Sequence, residues 1–314
     1  MTIKALVARE DNVAFEELEE LPPGELTIDV AYSSLNYKDG LAVTRRGKIV
    51  RRFPMVLGID LAGTTEAGEQ VVGNGQGLGE SEPGGYTRRQ RVRADAVVPL
   101  PAGMTLEQSM QLGTAGFTAM LCVQALERNN VRPDEREVIV TGAAGGVGSI
   151  AVLLLAKLGY RVAASTGRPE QADYLRGLGA TTIIEREELA APGAPMQKER
   201  WAGAVDTVGG VTLANVYAQT AYGGAVACCG MAGGHELTAT VWPLILRNVS
   251  LLGVSSLRTP RAERIDAWNR LARDIDFDKL AELSRTEPLS RIFELSEEIM
   301  GGGVRGRVAI DVGR

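Results

Sequence analysis

The stretch that most constrains this chain is Val138–Ser149, VIVTGAAGGVGS, where an apolar run leads into a glycine-rich turn and then into an apolar helical pattern. Val138, Ile139 and Val140 are β-branched and few, as a buried parallel strand requires. Gly142, Gly145 and Gly148 then fall three apart at the strand's end. A side chain on such a tight turn would push a pyrophosphate away, and the following helix must pack closely on the sheet. The nearly continuous apolar residues of Ser149–Leu158 predict a helix that Gly159 ends, and Arg161–Ala164 predicts the next strand. Backbone N–H groups at such a helix start hold phosphates, so the stretch reads as a dinucleotide-binding βαβ unit.

About twenty residues beyond Gly145, an NAD-binding protein usually carries an acidic residue for the ribose 2′-hydroxyl. This chain has Ser165 there, followed by Thr166, Gly167 and Arg168. A carboxylate would repel a 2′-phosphate, whereas a hydroxyl and a guanidinium hydrogen-bond it with charge assistance. The pattern therefore points to NADP(H) rather than NAD(H). The alternative for Arg168 is a solvated surface arginine.

At 314 residues the chain exceeds a usual single core, so two domains are expected. The net charge of −5, with no long basic block, argues against nucleic acid as a partner. The short basic run Arg88–Arg93 reads as the solvated edge of a strand. No segment has the pattern of a secretory signal and no apolar run is long enough to span a membrane, so a cytoplasmic protein without a membrane partner is expected. Cys122, Cys228 and Cys229 are odd in number and two are adjacent, which speaks against a disulfide framework. The single histidine, His235, and the lack of paired-cysteine spacing leave a catalytic zinc without ligands, so no metal is expected.

Along the chain, short runs separated by dense turn chemistry predict strands at Ile3–Ala8, Glu25–Tyr32, Gly63–Thr65, Gln70–Val72, Gly85–Val92 and Ala96–Pro99, with one short helix at Asn36–Val43. Helical spacing begins after Thr105, with Ala115–Leu126 as its clearest part. Strands and helices then alternate, with strands at Val138–Thr141, Arg161–Ser165, Thr182–Ile184, Gly203–Asp206, Gly224–Cys228 and Ser250–Val254. Six such strands fit an α/β, doubly wound parallel sheet. The ends of the fourth and fifth run into Gly209-Gly210 and Gly230, on the side where a cofactor would lie. A helix at Arg261–Asp274 and a strand at Gly306–Asp311 complete the reading. The expected division is a β-rich domain over 1–110, a nucleotide-binding domain over 111–256 and a C-terminal segment over 257–314.

Several motifs in order carry a family resemblance: SSLNYKDGLAVTRRGKIVRRFPMVLGIDLAGT (Ser33–Thr64), GTAGFTAMLCVQALE (Gly113–Glu127), VTGAAGGVGS (Val140–Ser149), STGR (Ser165–Arg168), WAGAVDTVGG (Trp201–Gly210) and PLILRNVSLLGVSS (Pro243–Ser256). Together they resemble the zinc-free medium-chain dehydrogenase/reductases, in the acrylyl-CoA reductase and quinone-oxidoreductase-like branch. The resemblance implies a GroES-like β-barrel domain plus a Rossmann domain, with the final segment returning to the barrel and the active site in the cleft between. It also implies NADPH, a homodimer, and hydride transfer to the β-carbon of an α,β-unsaturated thioester. Residue by residue, Tyr37 matches a position beside the nicotinamide, where its phenol could donate a hydrogen bond to an enolate oxygen or supply a proton. Gly145, Gly146, Val147 and Gly148 match the pyrophosphate turn. Ser165, Gly167 and Arg168 match the 2′-phosphate pocket, and Arg186 a position reaching the adenosine side. Met231, Ile245 and Ser255 correspond to positions bordering the nicotinamide.

Departures from the family pattern are a shortened connection at Glu66–Gln70, the Gly301-Gly302-Gly303 run, and the absence of an aromatic or histidine within Glu80–Gly85. Some residues keep two readings. Tyr37 is either catalytic or packed at a helix start with its hydroxyl satisfied by backbone. Lys38 and Asp39 read as a salt-bridged surface pair rather than acid and base, and Asp60 as a loop-holding hydrogen-bond acceptor. His235, in Gly233-Gly234-His235-Glu236, reads as part of an exposed loop. Arg45, Arg46, Lys48, Arg51 and Arg52 are either a solvated face or an attractor for the phosphates of a CoA ester. The leading expectation is NADPH-dependent reduction of a short enoyl-CoA such as acrylyl-CoA. The alternatives are an NADPH quinone or enone reductase, and a non-catalytic NADPH-binding sensor.

Overall fold

Short strands separated by tight turns build the first hundred residues. They are β1 (Ile3–Ala8), β2 (Val13–Leu18), β3 (Leu26–Ser34), β4 (Met55–Val56), β5 (Asp60–Thr65), β6 (Gln70–Asn74), β7 (Arg89–Val92) and β8 (Val97–Pro99), with helix α1 (Tyr37–Val43) between β3 and β4. The computed structural model describes residues 3–133 and 136–314. By contact the chain divides into two units, one made of the residues up to Phe117 with Ser256–Arg273 and Leu280–Arg314, the other of Thr118–Ser255 with Asp274–Lys279.

In the first unit β1 runs between β2 and β4, antiparallel to both. Its continuous apolar run has a physical reason: Leu6 and Ala8 enter the main core with Ile28, Leu61 and Val97, while Ala5 and Val7 pack with Val56 and Leu18 on the other face. The sequence reading missed β2, whose VAFEEL pattern, with two adjacent glutamates, does not alternate and acquires strand geometry by pairing with β1. The ladder of β7 starts at Arg89, four residues later than expected, because the chain before it is pressed against β5. A Cβ on Gly85 would lie 2.1 Å from the Asp60 carbonyl oxygen.

The second unit holds β9 (Val138–Val140), β10 (Val162–Thr166), β11 (Thr182–Glu185), β12 (Trp201–Asp206), β13 (Thr220–Cys228) and β14 (Ser250–Gly253) in one parallel sheet of order β11-β10-β9-β12-β13-β14. Order reversal at β9 creates the switch point where such sheets receive nucleotides. Helix α2 (Leu106–Arg128) leads toward it, broken at Gly113 by a φ of 53°. Helix α3 (Gly146–Lys157) follows β9 and begins earlier than the expected Ser149, since the glycines themselves form its first turn. Gly148–Leu155 are all buried, as an all-round apolar helix demands. Helices α4 (Ala172–Leu178), α5 (Gly210–Gln219) and α6 (Trp242–Arg247) complete the alternation.

Beyond α7 (Arg261–Asp274) and α8 (Phe277–Leu283), β15 (Ser284–Pro288), α9 (Ile292–Met300) and β16 (Arg307–Asp311) rejoin the first unit, while Asp274–Lys279 pack with the second. There β3, β5, β6 and β8 form one antiparallel run with β7 against β3, and β16 pairs antiparallel with β3 and parallel with β15. Helix α9 lies so close to α1 that a Cβ on Gly40 would meet Ile299 Cγ2 at 2.7 Å. No helix among the described residues is long and apolar enough to cross a membrane.

Candidate active site

The turn after β9 is shaped by backbone. Gly142 has a φ of 59°, and a Cβ there would lie 2.3 Å from Thr207 Oγ1. At Gly148 a Cβ would lie 2.4 Å from the Gly142 carbonyl oxygen, so neither position admits a side chain. The loop closes through Gly145 N to Gly142 O at 3.0 Å and Ala143 N to Ser165 O at 3.0 Å. Gly145 caps α3 without a side-chain hydrogen bond. The amides of Gly146, Val147 and Gly148 donate to no acceptor among the described residues, which leaves donors and the positive helix end for an anion.

A residue that the sequence reading did not single out holds this turn. Asp206, fully buried at the end of β12, accepts from Thr141 Oγ1 at 2.7 Å and from Gly209 N at 2.8 Å. Thr207 in turn donates from Oγ1 to Thr141 O at 2.9 Å. Burial pushes the Asp206 carboxyl above its ordinary range, against the pull of these bonds. The available signal was the strand end Val205-Asp206-Thr207 running into Gly209-Gly210. Cys228 and Cys229 lie beside it, with Cys229 Sγ 3.4 Å from Asp206 O, and burial pushes the Cys228 thiol up to about 11.

At the end of β10, Ser165 is buried and Arg168 half-buried. Arg168 donates from Nη2 to Ala144 O at 3.0 Å, so its guanidinium lies against the turn rather than out in solvent. Arg186 lies over Gly167, where a Cβ would sit 2.1 Å from Arg186 Cζ. Its exposed guanidinium has no hydrogen bond or ion pair among the described residues. Arg186 and Gly167 are thus brought together, and Arg168 is drawn to the glycine turn. Met231, just after β13, and Ile245, on α6, are 70% and 71% exposed, and Ser255 is exposed after β14. Neither Met231 nor Ile245 has a side-chain hydrogen bond to the turn among the described residues.

In the first unit Tyr37 opens α1 and is 56% exposed. Behind it stands a buried polar network. Asn36 is the N-cap, and its backbone N donates to Asp39 Oδ2 at 2.9 Å in a capping box. Asn36 Nδ2 reaches Asp39 Oδ2 at 3.0 Å and Asp60 Oδ2 at 2.8 Å, and Ile59 N donates to Asp39 Oδ1 at 3.0 Å. The expected Lys38–Asp39 surface pair does not form. Adjacent helical residues point apart, so Lys38 Nζ meets Glu80 Oε1 at 2.7 Å while Asp39 turns inward. Burial, and then repulsion from Asp60, push the Asp39 carboxyl up to about 7.

Asp60 does hold its loop. Oδ2 accepts from Ser34 Oγ, Asn36 Nδ2 and Thr114 N, and Oδ1 from Thr114 Oγ1. Both oxygens are occupied, His235 is exposed, and no group of three metal-ligating side chains occurs among the described residues. The residues here do not fit a zinc ion. In the basic segment, Arg45 donates to Glu10 O and Asp11 O, Arg46 pairs with Glu297, and Arg52 pairs with Glu82. Lys48 and Arg51 are exposed, with no side-chain partner among the described residues.

Models of two families match the chain: an alcohol dehydrogenase GroES-like domain over residues 22–102 and a zinc-binding dehydrogenase over residues 146–273. Acrylyl-CoA reductase AcuI of Ruegeria pomeroyi is 51% identical, over 94% of this chain and 92% of its own. The crystal structure of the YhdH oxidoreductase from Salmonella enterica in complex with NADP is 48% identical, covers 99% of both chains and superposes with a TM-score of 0.95. That of Bacillus subtilis YhfP with NAD bound is 42% identical, again over 99% of both chains, with a TM-score of 0.95.

Proposed function

Because the chain belongs to the zinc-free medium-chain dehydrogenase/reductases, in the branch of the acrylyl-CoA reductases, we propose that it reduces an activated carbon–carbon double bond with NADPH. The substrate in this reading is a short α,β-unsaturated acyl-CoA such as acrylyl-CoA. The observation that carries it is the 51% identity to an acrylyl-CoA reductase across nearly the whole chain. The unpaired Arg186 guanidinium over Gly167 supports the phosphorylated cofactor.

When bound, the reduced nicotinamide supplies the hydride that adds to the β-carbon of the thioester. The chain's own part is binding and proton placement. The free amides of Gly146, Val147 and Gly148, set by the cap at Gly145, take the pyrophosphate. Ser165 Oγ and the guanidinium groups of Arg168 and Arg186 take the 2′-phosphate, with Gly167 leaving room for Arg186. Met231, Ile245 and Ser255 border the nicotinamide. Tyr37 donates a hydrogen bond to the thioester oxygen as enolate charge builds there, and the α-carbon then takes up a proton.

The same reading includes a homodimer in the cytoplasm. Strand β14 is a sheet edge, and Leu251 on it and Trp242, Leu244 and Leu246 on α6 are exposed apolar side chains that a second copy would cover. The free cysteines agree with a reducing compartment. The test compares kcat/KM on acrylyl-CoA and on a soluble quinone, with NADPH and NADH. Higher kcat/KM on the thioester with NADPH is expected. A preference for the quinone would make the chain a quinone reductase. Equal use of NADH, the nucleotide in the Bacillus subtilis structure, would remove the assigned role of Arg186.

A further inference from the structure

Asp39 sits two residues along α1 from Tyr37 and is only 2% exposed. Three titratable groups face it from other elements: Asp60 on β5, Tyr86 from the segment before β7, and Arg307 on β16. Two carboxylates thus lie within the electrostatic reach of one buried guanidinium, without an ion pair to it among the described residues. Arg307 already donates from Nη1 to Leu35 O and from Nε to Gln111 O, both at 3.1 Å, and its Nη2 is buried without a partner. The Tyr86 hydroxyl donates to Ser34 O at 3.0 Å, and burial holds its phenol well above the ordinary range. Within this group Asp39 is the carboxyl displaced upward, to about 7, first by burial and then by Asp60.

Helix α1 has seven residues, too few to hold its own shape. Its middle is fixed by packing of Gly40 against α9, and its near end by the capping box. Two of the ties at the near end pass through one carboxylate, Oδ2 receiving the Asn36 amide and Oδ1 the Ile59 amide, while Asn36 Nδ2 also reaches Asp60 Oδ2. Such bonds are strong when the acceptor is ionised and weaken when it is protonated. Building on the assignment of Tyr37, we infer that Asp39 is its positioning residue: ionised, it clamps the first turn of α1 to Asn36 and Ile59, and on taking up a proton it releases the clamp and unsettles the phenol.

Two measurements test this. In the enzymatic one, kcat of the wild-type protein is expected to be about tenfold lower near pH 6 than near pH 8, as one group titrating around neutrality dictates. Asp39→Asn should lower kcat and flatten this profile, leaving the KM for NADPH unchanged. In the other, the protein is labelled with 3-fluorotyrosine and studied without cofactor, the Tyr37 fluorine signal being assigned with Tyr37→Phe. That signal should shift with a midpoint near 7 in the wild type and stay still in Asp39→Asn. Should Asp39→Asn not fold, Asp60→Asn removes the neighbouring charge and should move the midpoint to lower pH. A Tyr37 signal indifferent to pH between about 6 and 8, or a midpoint unmoved by either substitution, overturns the inference. A titrating signal in a protein that reduces no activated alkene would leave the clamp standing and sink the enzymatic reading instead.

Discussion

Two regions of this molecule offer groups for chemistry in opposite ways. The turn at Gly142–Gly148 is made of backbone: its donors are main-chain amides, and its shape depends on the absence of side chains at Gly142 and Gly148. The cap behind Tyr37 is made of side chains drawn from Ser34, Asn36, Asp39, Asp60 and Thr114, tied to one another in the interior. A backbone site tolerates what its side chains are but not whether they are there. A side-chain network is the reverse, so the two should respond differently to substitution.

The largest effect should come from the second region. Tyr37→Phe is expected to lower kcat for enoyl-thioester reduction by about 100- to 1000-fold, the usual effect of losing a donor to a developing oxyanion. Steady-state kinetics beside calorimetry with NADPH would check it, nucleotide affinity being unchanged. In the first region Gly148→Ala should weaken NADPH by on the order of 100-fold, because the added methyl meets the Gly142 carbonyl oxygen at 2.4 Å and displaces the amides. Val147→Ala, which keeps every amide, should be nearly silent. If calorimetry found both alike, the picture of a backbone site would be wrong.

This contrast also explains what could be read from sequence. The glycine turn was legible because its glycines lie within twelve consecutive residues between an apolar strand and an apolar helix. The same holds for β9 to β14, whose apolar runs alternate with helical patterns. Asp206 and Thr207, which hold the turn, lie far along the chain, and their part in it was not legible. Strands β2 and β15 were not legible: VAFEEL does not alternate apolar with polar, SRTEP is largely polar, and the two pair with β1 and β16. Asp39 was misread for a related reason. Its neighbour Lys38 suggested an ion pair, whereas the actual partners are Ile59 for one and Glu80 for the other, at sequence separations of 20 and 42. Asp60 was rightly read as a hydrogen-bond acceptor, but its bonds to Ser34 and Thr114 were beyond reach, because only the folded barrel brings those residues together.

A smaller effect sharpens the first region, where the backbone turn borrows two side chains. Arg186→Ala should reduce NADPH affinity by about 10- to 100-fold, the usual range for a hydrogen bond to a charged group, and leave NADH affinity as it is. Titrating both nucleotides against the variant gives the ratio directly. Equal losses for the two would mean that Arg186 serves the fold of the β10–β11 end and not the 2′-phosphate.

The smallest effect concerns the charged stretch that follows α1. Arg52 is committed to Glu82, while Arg51 and Lys48 are exposed and without side-chain partners among the described residues, so any pull on the phosphates of a CoA ester falls mainly to those two. Exposed cations act through water and salt, so each contributes about 1 kcal/mol or less. Replacing Lys48 and Arg51 together by Ala should therefore raise the KM for acrylyl-CoA by only about three- to tenfold. The KM for an uncharged enone should stay put, and the difference should shrink as salt is added. A rise shared equally by both substrates would assign the change to the loop carrying Tyr37's helix rather than to charge. The two halves of the comparison would then meet, since a surface substitution would be acting through the interior network behind Asp39.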